Sequence, residues 1–579
     1  MTLDRKGLRI VKLPSPLRAA LGATLSLLAL GLSGQWSDLH AMPPYEGGDG
    51  SAPSPKLAAA TALYNQMRPA FAERGIDQPG GGLMAGYQFN GNFKVLAICV
   101  DFPDKPSSVP AIKFDTLIFG NQPGTVRDFY SEMAYGTLTI ITVNLPSALG
   151  WKRLPNNYAY YVSNSYGLGA YPNNTQKLCE ELVDLVDPYV NFADYDNDGN
   201  GYVDGLLIVH PGRGAEFSGS TSDIWSHKWG ITPRLKDGVY IGPYTVQPEY
   251  WNTPGDMTIG VYAHETGHLF GLPDLYDVDG SSRGIGKWSL MSSGCWNGTL
   301  GSSPAYMDAW CRARLGLVTP TNVTKNLSGA SIDQIETNPI VYRLWDNGNI
   351  GNEYFLIENR QKVGYDSFLP STGLMIWHID DSRGTNNTEW YPGHTTNGNY
   401  LVALVQADGL FQMEQNASNG DNFDPYPGSG DKTTFSSATT PSSNSYAGTP
   451  TYVTVTNISP SAATMTADFR VAIIADVLDS SQSEQIVPEK ISLINSPNPF
   501  NPSTTVQFQS TESGPASVMI YDILGRRVRT LYSGYADPGA HQIEWDGDDD
   551  SGRQLASGVY FSRLIDGRQS VTHEMVLLR

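Results

Sequence analysis

Two hydrophobic rhythms alternate along the first half of the chain. Residues 95–100 (VLAICV) and 206–209 (LLIV) are unbroken apolar runs, as strands buried on both faces require. Residues 126–134, 175–186 and 258–270 read instead as helices. This mixture persists to about residue 318, which predicts an α/β (α+β) domain over 91–318. From 319 to 472 the runs are almost all strand and turn, with apolar stretches at 354–357, 374–377 and 401–405. A β-sandwich-like domain packed on the first is expected there. Residues 473–490 read as a linker. Residues 491–579 return to short strands parted by Asn, Asp and Gly, the size and pattern of an immunoglobulin-like β-sandwich.

The amino-terminal pattern differs. Arg5, Lys6, Arg9, Lys12 and Arg18 precede a short uncharged apolar run at 19–32, and Leu39-His40-Ala41 ends in a small residue. That order is expected of a secretory signal peptide over 1–41. The run is shorter than the roughly 20 residues that span a bilayer, so no transmembrane anchor is expected. Residues 42–90, rich in Gly, Pro and Ser, read as a pro-segment or surface arm. Cys99, Cys179, Cys295 and Cys311 permit disulfides in an exported chain, and the sequence does not choose between pairings. With 58 Asp and Glu against 38 Lys and Arg, the formal charge is −20. Nucleic acid is a poor partner for such a chain, whereas divalent cations suit it.

The chemistry concentrates in residues 258–274 (TIGVYAHETGHLFGLPD). His264 and His268 lie four apart, so on a helix both imidazoles leave one face and can share a zinc ion. Glu265 adjoins the first histidine, where its carboxylate serves as general base to a water without being a ligand. Thr258 is the expected N-cap, with Asp256 close to the same helix end. Gly271 is suited to breaking the helix and Pro273 to preventing its resumption. The turn would return Asp274 as a third ligand. Three protein ligands leave a position for water, the mark of a catalytic zinc site. Met291, in a turn of small residues, is expected to form an apolar floor under the metal. Tyr306 is a candidate oxyanion donor, although a structural role is the simpler expectation.

Residues 258–277 resemble the catalytic signature of the immune inhibitor A family of secreted bacterial metalloendopeptidases. Further similar blocks lie at 126–130 with 135–136, 224–229, 309–310 with 315–316, 358–361, 373–380 and 420–425. The resemblance covers roughly residues 90–470. It implies a zincin-type catalytic domain with His264, His268 and Asp274 on zinc and Glu265 as the base. Thr266 and Leu269 depart from the residues most associated with those slots, and neither is a ligand position.

A second metal signal is Asp194-Tyr-Asp196-Asn-Asp198-Gly199-Asn200-Gly201-Tyr202-Val203-Asp204. Alternating carboxylates around a glycine turn resemble a calcium loop, although Gly205 stands where an EF-hand has its closing Glu. Asp194, Asp196, Asp198, Asn200 and Asp204 are the expected ligands of a structural calcium. Asp421 and Asp424 are further cation candidates. His210, His227 and His378 are expected to be structural.

Residues 496–503 (SPNPFNPS), 519–526 (MIYDILGR), 545–547 (WDG) and 556–560 (ASGVY) resemble, in that order, the C-terminal sorting domain of the type IX secretion pathway. That domain is similar to the immunoglobulin-like module of flagellar hook-capping proteins. The resemblance implies secretion machinery as a partner and a chemically inert module. The whole reading is a secreted zinc endopeptidase acting on protein or peptide substrates. The competing reading is a calcium-braced cell-surface binding or adhesion protein whose protease site has decayed.

Overall fold

A computed structural model describes residues 89–472 and 491–579, apart from residues 279, 397, 512, 513, 537, 538, 567 and 568. The expected signal peptide, nearly all of the 42–90 segment and the 473–490 linker lie outside the described residues. The chain divides into two compact units, 1–472 and 473–579.

In the first unit, β1 (Gly91–Lys94) pairs in parallel with β3 (Leu138–Ile141). The main sheet has the order β4 (Lys152–Arg153), β2 (Leu96–Asp101), β5 (Leu206–Arg213), β7 (Val239–Tyr250), β6 (His227–Lys236). All its pairings are parallel except the last, where β6 runs antiparallel along the edge. Alternation along the central strands feeds two cores. Leu96, Ile98, Leu206, Ile208, Tyr244 and Val246 face one side, towards helix α3 (Thr175–Val186). Ala97, Cys99, Leu207 and Val209 face the other. On that second side lie α1 (Ile112–Phe119), α2 (Val126–Met133) and α4 (Gly260–Leu269).

Past the short helix α5 (Ala309–Arg314) the chain is strand and turn. A five-stranded sheet has the order β13 (Val402–Leu404), β12 (Gly373–Asp380), β11 (Glu353–Arg360), β10 (Tyr342–Leu344), β8 (Thr321–Asn322). A three-stranded sheet has the order β14 (Thr454–Thr456), β15 (Thr464–Arg470), β9 (Leu327–Asp333). Phe355, Ile357, Leu374 and Ile376 point into the core shared with the smaller sheet. Leu356, Met375, Trp377 and Ile379, one position out of phase, point into the core that holds α4. Strand periodicity thus makes one sheet serve two cores, and the second core crosses residue 318 without a break.

In the 473–579 unit, β16 (Ser492–Ser496), β17 (Thr504–Ser510) and β20 (Gly539–Trp545) form one antiparallel sheet. The second has the order β19 (Arg527–Ala536), β18 (Gly514–Asp522), β21 (Gly558–Asp566), β22 (Gln569–Leu577). Val506, Phe508, Val518, Ile520, Trp545 and Leu564 are buried together in this sandwich.

Candidate metal centre

Helix α4 is buried along its whole length. Tyr130 and Tyr262 anchor it, their hydroxyls donating to the carbonyls of Ala263 (2.7 Å) and Pro248 (2.8 Å) respectively. Its start differs from the expectation. Ile259, not Thr258, is the N-cap residue, and no side chain caps the helix. The Thr258 hydroxyl instead donates to the carbonyl of Leu300, and Asp256 accepts from the backbone of Trp251, Asn252 and Thr253. A contact 42 residues away outcompetes the local one. The helix end follows the expectation. Gly271 takes φ +86°, its N–H bonds the His268 carbonyl, and the Leu272 N–H bonds the Gly267 carbonyl. This is a Schellman closure, which only a residue at ease with positive φ completes cheaply.

That closure also orients the site. The Leu272 carbonyl accepts from His268 Nδ1 and the Leu290 carbonyl from His264 Nδ1, both at 2.8 Å. A carbonyl can only accept, so each Nδ1 carries a proton, and Nε2 is the nitrogen left to present a lone pair in the neutral ring. The two Nε2 atoms are 3.1 Å apart, and each is 3.2 Å from Asp274 Oδ1. Burial favours a neutral Asp274, but His268 and His264 outweigh it and hold the carboxyl down at about 2. That lowering belongs to the metal-free site, where the Nε2 atoms can carry protons towards Asp274; once those protons leave, the two Nε2 atoms and Oδ1 present three lone pairs to one point. Ligand atoms about 2.0–2.1 Å from a tetrahedral zinc stand roughly 3.3 Å apart, so this triangle fits one face of such a site. A charge-neutral guest would leave the buried Asp274 carboxylate uncompensated.

Glu265 is fully buried, and neither carboxylate oxygen has a hydrogen-bond partner. Burial, reinforced by the charges of Asp274 and Glu216, raises its proton affinity well above the ordinary carboxyl range, while Lys228 acts in the opposite sense. Met291 lies directly under the helix: a Cβ on Gly267 would stand 2.5 Å from its Sδ. Its carbonyl accepts from the N–H of Leu275, next to Asp274. Tyr306 takes the structural role, its hydroxyl donating to Glu132 at 2.6 Å. The orienting carbonyls of Leu272 and Leu290, and the charges of Glu216 and Lys228, were not among the sequence candidates. Only Leu272 had a local signal, as the residue after the helix-breaking glycine.

In the calcium-like loop, Asp196, Asp198 and Asp204 bring carboxylate oxygens within 4.8 Å of one another. Asp194 lies in the preceding short helical turn, outside that group, and the Asn200 side chain donates to Asp198 Oδ2 at 3.0 Å. Gly199 takes φ +75° at the turn. Asp204 is buried and its Oδ1 has no partner. Burial, with the charges of Asp198 and Asp196 adding, pushes Asp204 up to about 7. Asp424 accepts from Trp288 Nε1 (3.2 Å) and from the Asp421 N–H (2.8 Å) and joins no three-residue metal cluster among the described residues. His227 bonds Thr175 and the Trp225 carbonyl, and His378 bonds Glu353. His210 Nδ1 lies 3.2 Å from the Pro211 carbonyl. All four cysteines are buried, and among the described residues no disulfide joins them.

Two buried imidazoles and the Asp274 carboxylate thus converge beside a second, unbonded carboxylate, an arrangement able to hold a metal ion. Residues 88–317 match the family model described as immune inhibitor A peptidase M6, catalytic domain. That match takes in less than half of the chain. Residues 496–563 match the FlgD Ig-like domain.

The chain is similar to the pre-pro-metalloprotease PrtV of Vibrio cholerae serotype O1 (strain M66-2), 30% identical over 38% of this chain and 29% of that protein. It is also similar to immune inhibitor A of Bacillus thuringiensis subsp. alesti, 29% identical over 33% of each. The chain thus spans about a third of the length of these curated relatives. A structure of FlgD from P. aeruginosa aligns with 16% of this chain and 67% of that one at 19% identity, with a TM-score of 0.12, too low to argue from.

Proposed function

We propose that the protein is a secreted zinc-dependent endopeptidase of zincin type. In this reading His264, His268 and Asp274 hold the metal and Glu265 is the general base. The observation that carries it is the triangle of His264 Nε2, His268 Nε2 and Asp274 Oδ1 at 3.1–3.2 Å beside a buried, unbonded carboxylate. When bound, zinc supplies Lewis acidity, polarising the scissile carbonyl and making water acidic enough to attack near neutral pH. The chain's own groups do the rest. The Leu272 and Leu290 carbonyls lock both imidazole tautomers, as orienting partners of ligating histidines do. Glu265 takes the proton of the attacking water and delivers it to the leaving amine. The test is zinc analysis together with peptide-library cleavage on wild type and Glu265→Gln. The variant is expected to keep its zinc and lose at least 100-fold in activity. Retained activity would remove Glu265 from its role.

We infer further that Asp196, Asp198 and Asp204 hold a structural calcium. Support comes from their convergence and from the unpartnered, buried Asp204 Oδ1. Residues 1–41 are read as the export signal, and the 491–579 module as a type IX sorting domain. The FlgD Ig-like match supports the module's fold class. Among the described residues no helix is long and apolar enough to cross a membrane. Deleting residues 496–579 is expected to trap the enzyme inside the cell envelope. Normal release would assign the module an accessory role.

A further inference from the structure

All the side chains read as zinc ligands lie before residue 318, yet the segment bearing Asp274 is held from beyond it. After Asp274 the chain runs along the β-rich part of the unit. Ser282 Oγ accepts from the hydroxyl of Tyr400 at 2.6 Å, and the Arg283 N–H donates to the Met413 carbonyl at 2.9 Å. The contact nearest the metal centre is made by Asn386. Its side chain is completely buried, and it sits in the loop between β12 and β13.

Asn386 uses its whole amide. Nδ2 donates to two carbonyls at 2.8 Å, those of Leu275 and Val402. Oδ1 accepts from the N–H of Val402 at 3.1 Å. Val402 begins β13, the edge strand of the five-stranded sheet, so the side chain caps that edge as a further strand would. Rigidity borrowed from the sheet is passed to Leu275, the residue after Asp274. Leu275 is gripped on its other side as well: its N–H donates to the Met291 carbonyl at 2.8 Å, and its carbonyl also accepts from Ile285 at 3.1 Å. Since Leu290 and Met291 orient both His264 and Leu275, Asn386 and the methionine turn together fix the Asp274 peptide from opposite directions.

We propose that Asn386 is a positioning residue of the metal centre, which makes the β-rich segment part of that centre rather than an appendage to it. Asn386 touches neither metal nor substrate. It acts by restricting the backbone that aims Asp274 Oδ1 at the two histidines. The proposal rests on the reading of His264, His268 and Asp274 as a zinc site.

The test uses the full chain. Asn386→Leu keeps the branching at Cγ, in a somewhat larger side chain, and removes every side-chain hydrogen bond. Asn386→Asp keeps the acceptor for Val402 and replaces the donor by an oxygen facing two carbonyls. Zinc affinity is measured by chelator competition, the ligand field by the absorption of the cobalt(II)-loaded protein, and folding by the Tm of the metal-free protein. Both variants are expected to bind zinc at least tenfold more weakly, within the range known for outer partners of metal ligands, and to shift the cobalt bands. Tyr400→Phe, which loosens the same strap eight residues past Asp274, is expected to lower Tm while leaving zinc affinity within twofold. Should the two replacements not fold, Asn386→Ser gives the same readout with a smaller disturbance. Wild-type zinc affinity and an unchanged cobalt spectrum in a folded Asn386 variant would overturn the proposal, whatever its Tm. A wild type that binds zinc no better than His264→Ala would instead overturn the zinc reading, and this proposal with it.

Discussion

Gly260 and the Cys295 carbonyl are in such close contact that a single methyl group cannot be placed between them. The same methyl would also stand 2.9 Å from the Gly301 Cα, and the Gly260 N–H donates to the Gly301 carbonyl at 3.0 Å. The obstacles are backbone atoms, which cannot swing aside as a side-chain tip does. Gly260→Ala is therefore expected to cost about 3 kcal/mol or more, the upper end of overpacking penalties. Denaturant titration of the variant checks this. A change below about 1 kcal/mol would show that the first turn of α4 can move.

The ligand triangle predicts a graded response. His264→Ala and His268→Ala each leave two donors and are expected to lose stoichiometric zinc. Asp274→Asn keeps an oxygen but removes the charge, so it is expected to bind zinc far more weakly and to retain little activity. Metal analysis after dialysis distinguishes these cases. Full zinc occupancy in either alanine variant would exclude that histidine as a ligand.

Calcium added to zinc-saturated, calcium-free protein is expected to raise Tm. At a hundredfold excess over Kd, binding stabilises by about 2.7 kcal/mol, which is roughly 3–4 °C for a unit approaching 400 residues. Asp204→Asn should abolish most of the response, because Asp204 presents the buried, unpartnered oxygen. A melting curve indifferent to calcium would leave the loop without an ion.

Glu414 gives a pH signature independent of either metal site. Burial pushes its carboxyl up to about 8, and Gln406 Nε2 donates to it at 2.5 Å. Its unfolded value is about 4.3. Between those limits the folded state keeps a proton that the unfolded state has released, so this group's contribution to stability falls as pH rises. The ceiling is about 5 kcal/mol across the window. Glu414→Gln cannot titrate, and its stability relative to wild type is expected to improve from pH 5 to pH 8. An equal pH dependence in both proteins would show that Glu414 is already ionised when folded.

The convergence of His264, His268 and Asp274 was readable in the sequence because they lie within eleven residues and a helix turn sets the spacing of the histidines. Helix α3 was readable from end to end for the same reason, since its apolar spacing and the Asn174 cap are local. What escaped is non-local. The bond from Thr258 to Leu300, the orienting carbonyl of Leu290 and the clamp of Asn386 each join segments whose proximity only the packed sheets create. Likewise the phase of β11 and β12 shows that both faces are buried, but not that one face meets the core around α4.

The four cysteines have a practical corollary. Each is shielded from solvent, and burial raises the thiols of Cys99, Cys179 and Cys311 well above their ordinary range, so these three are not primed to oxidise. Correct folding of the 1–472 unit thus requires no oxidase or isomerase. A reducing host cytoplasm should leave these four side chains in the same state as an oxidising envelope, and dithiothreitol should leave the fold untouched.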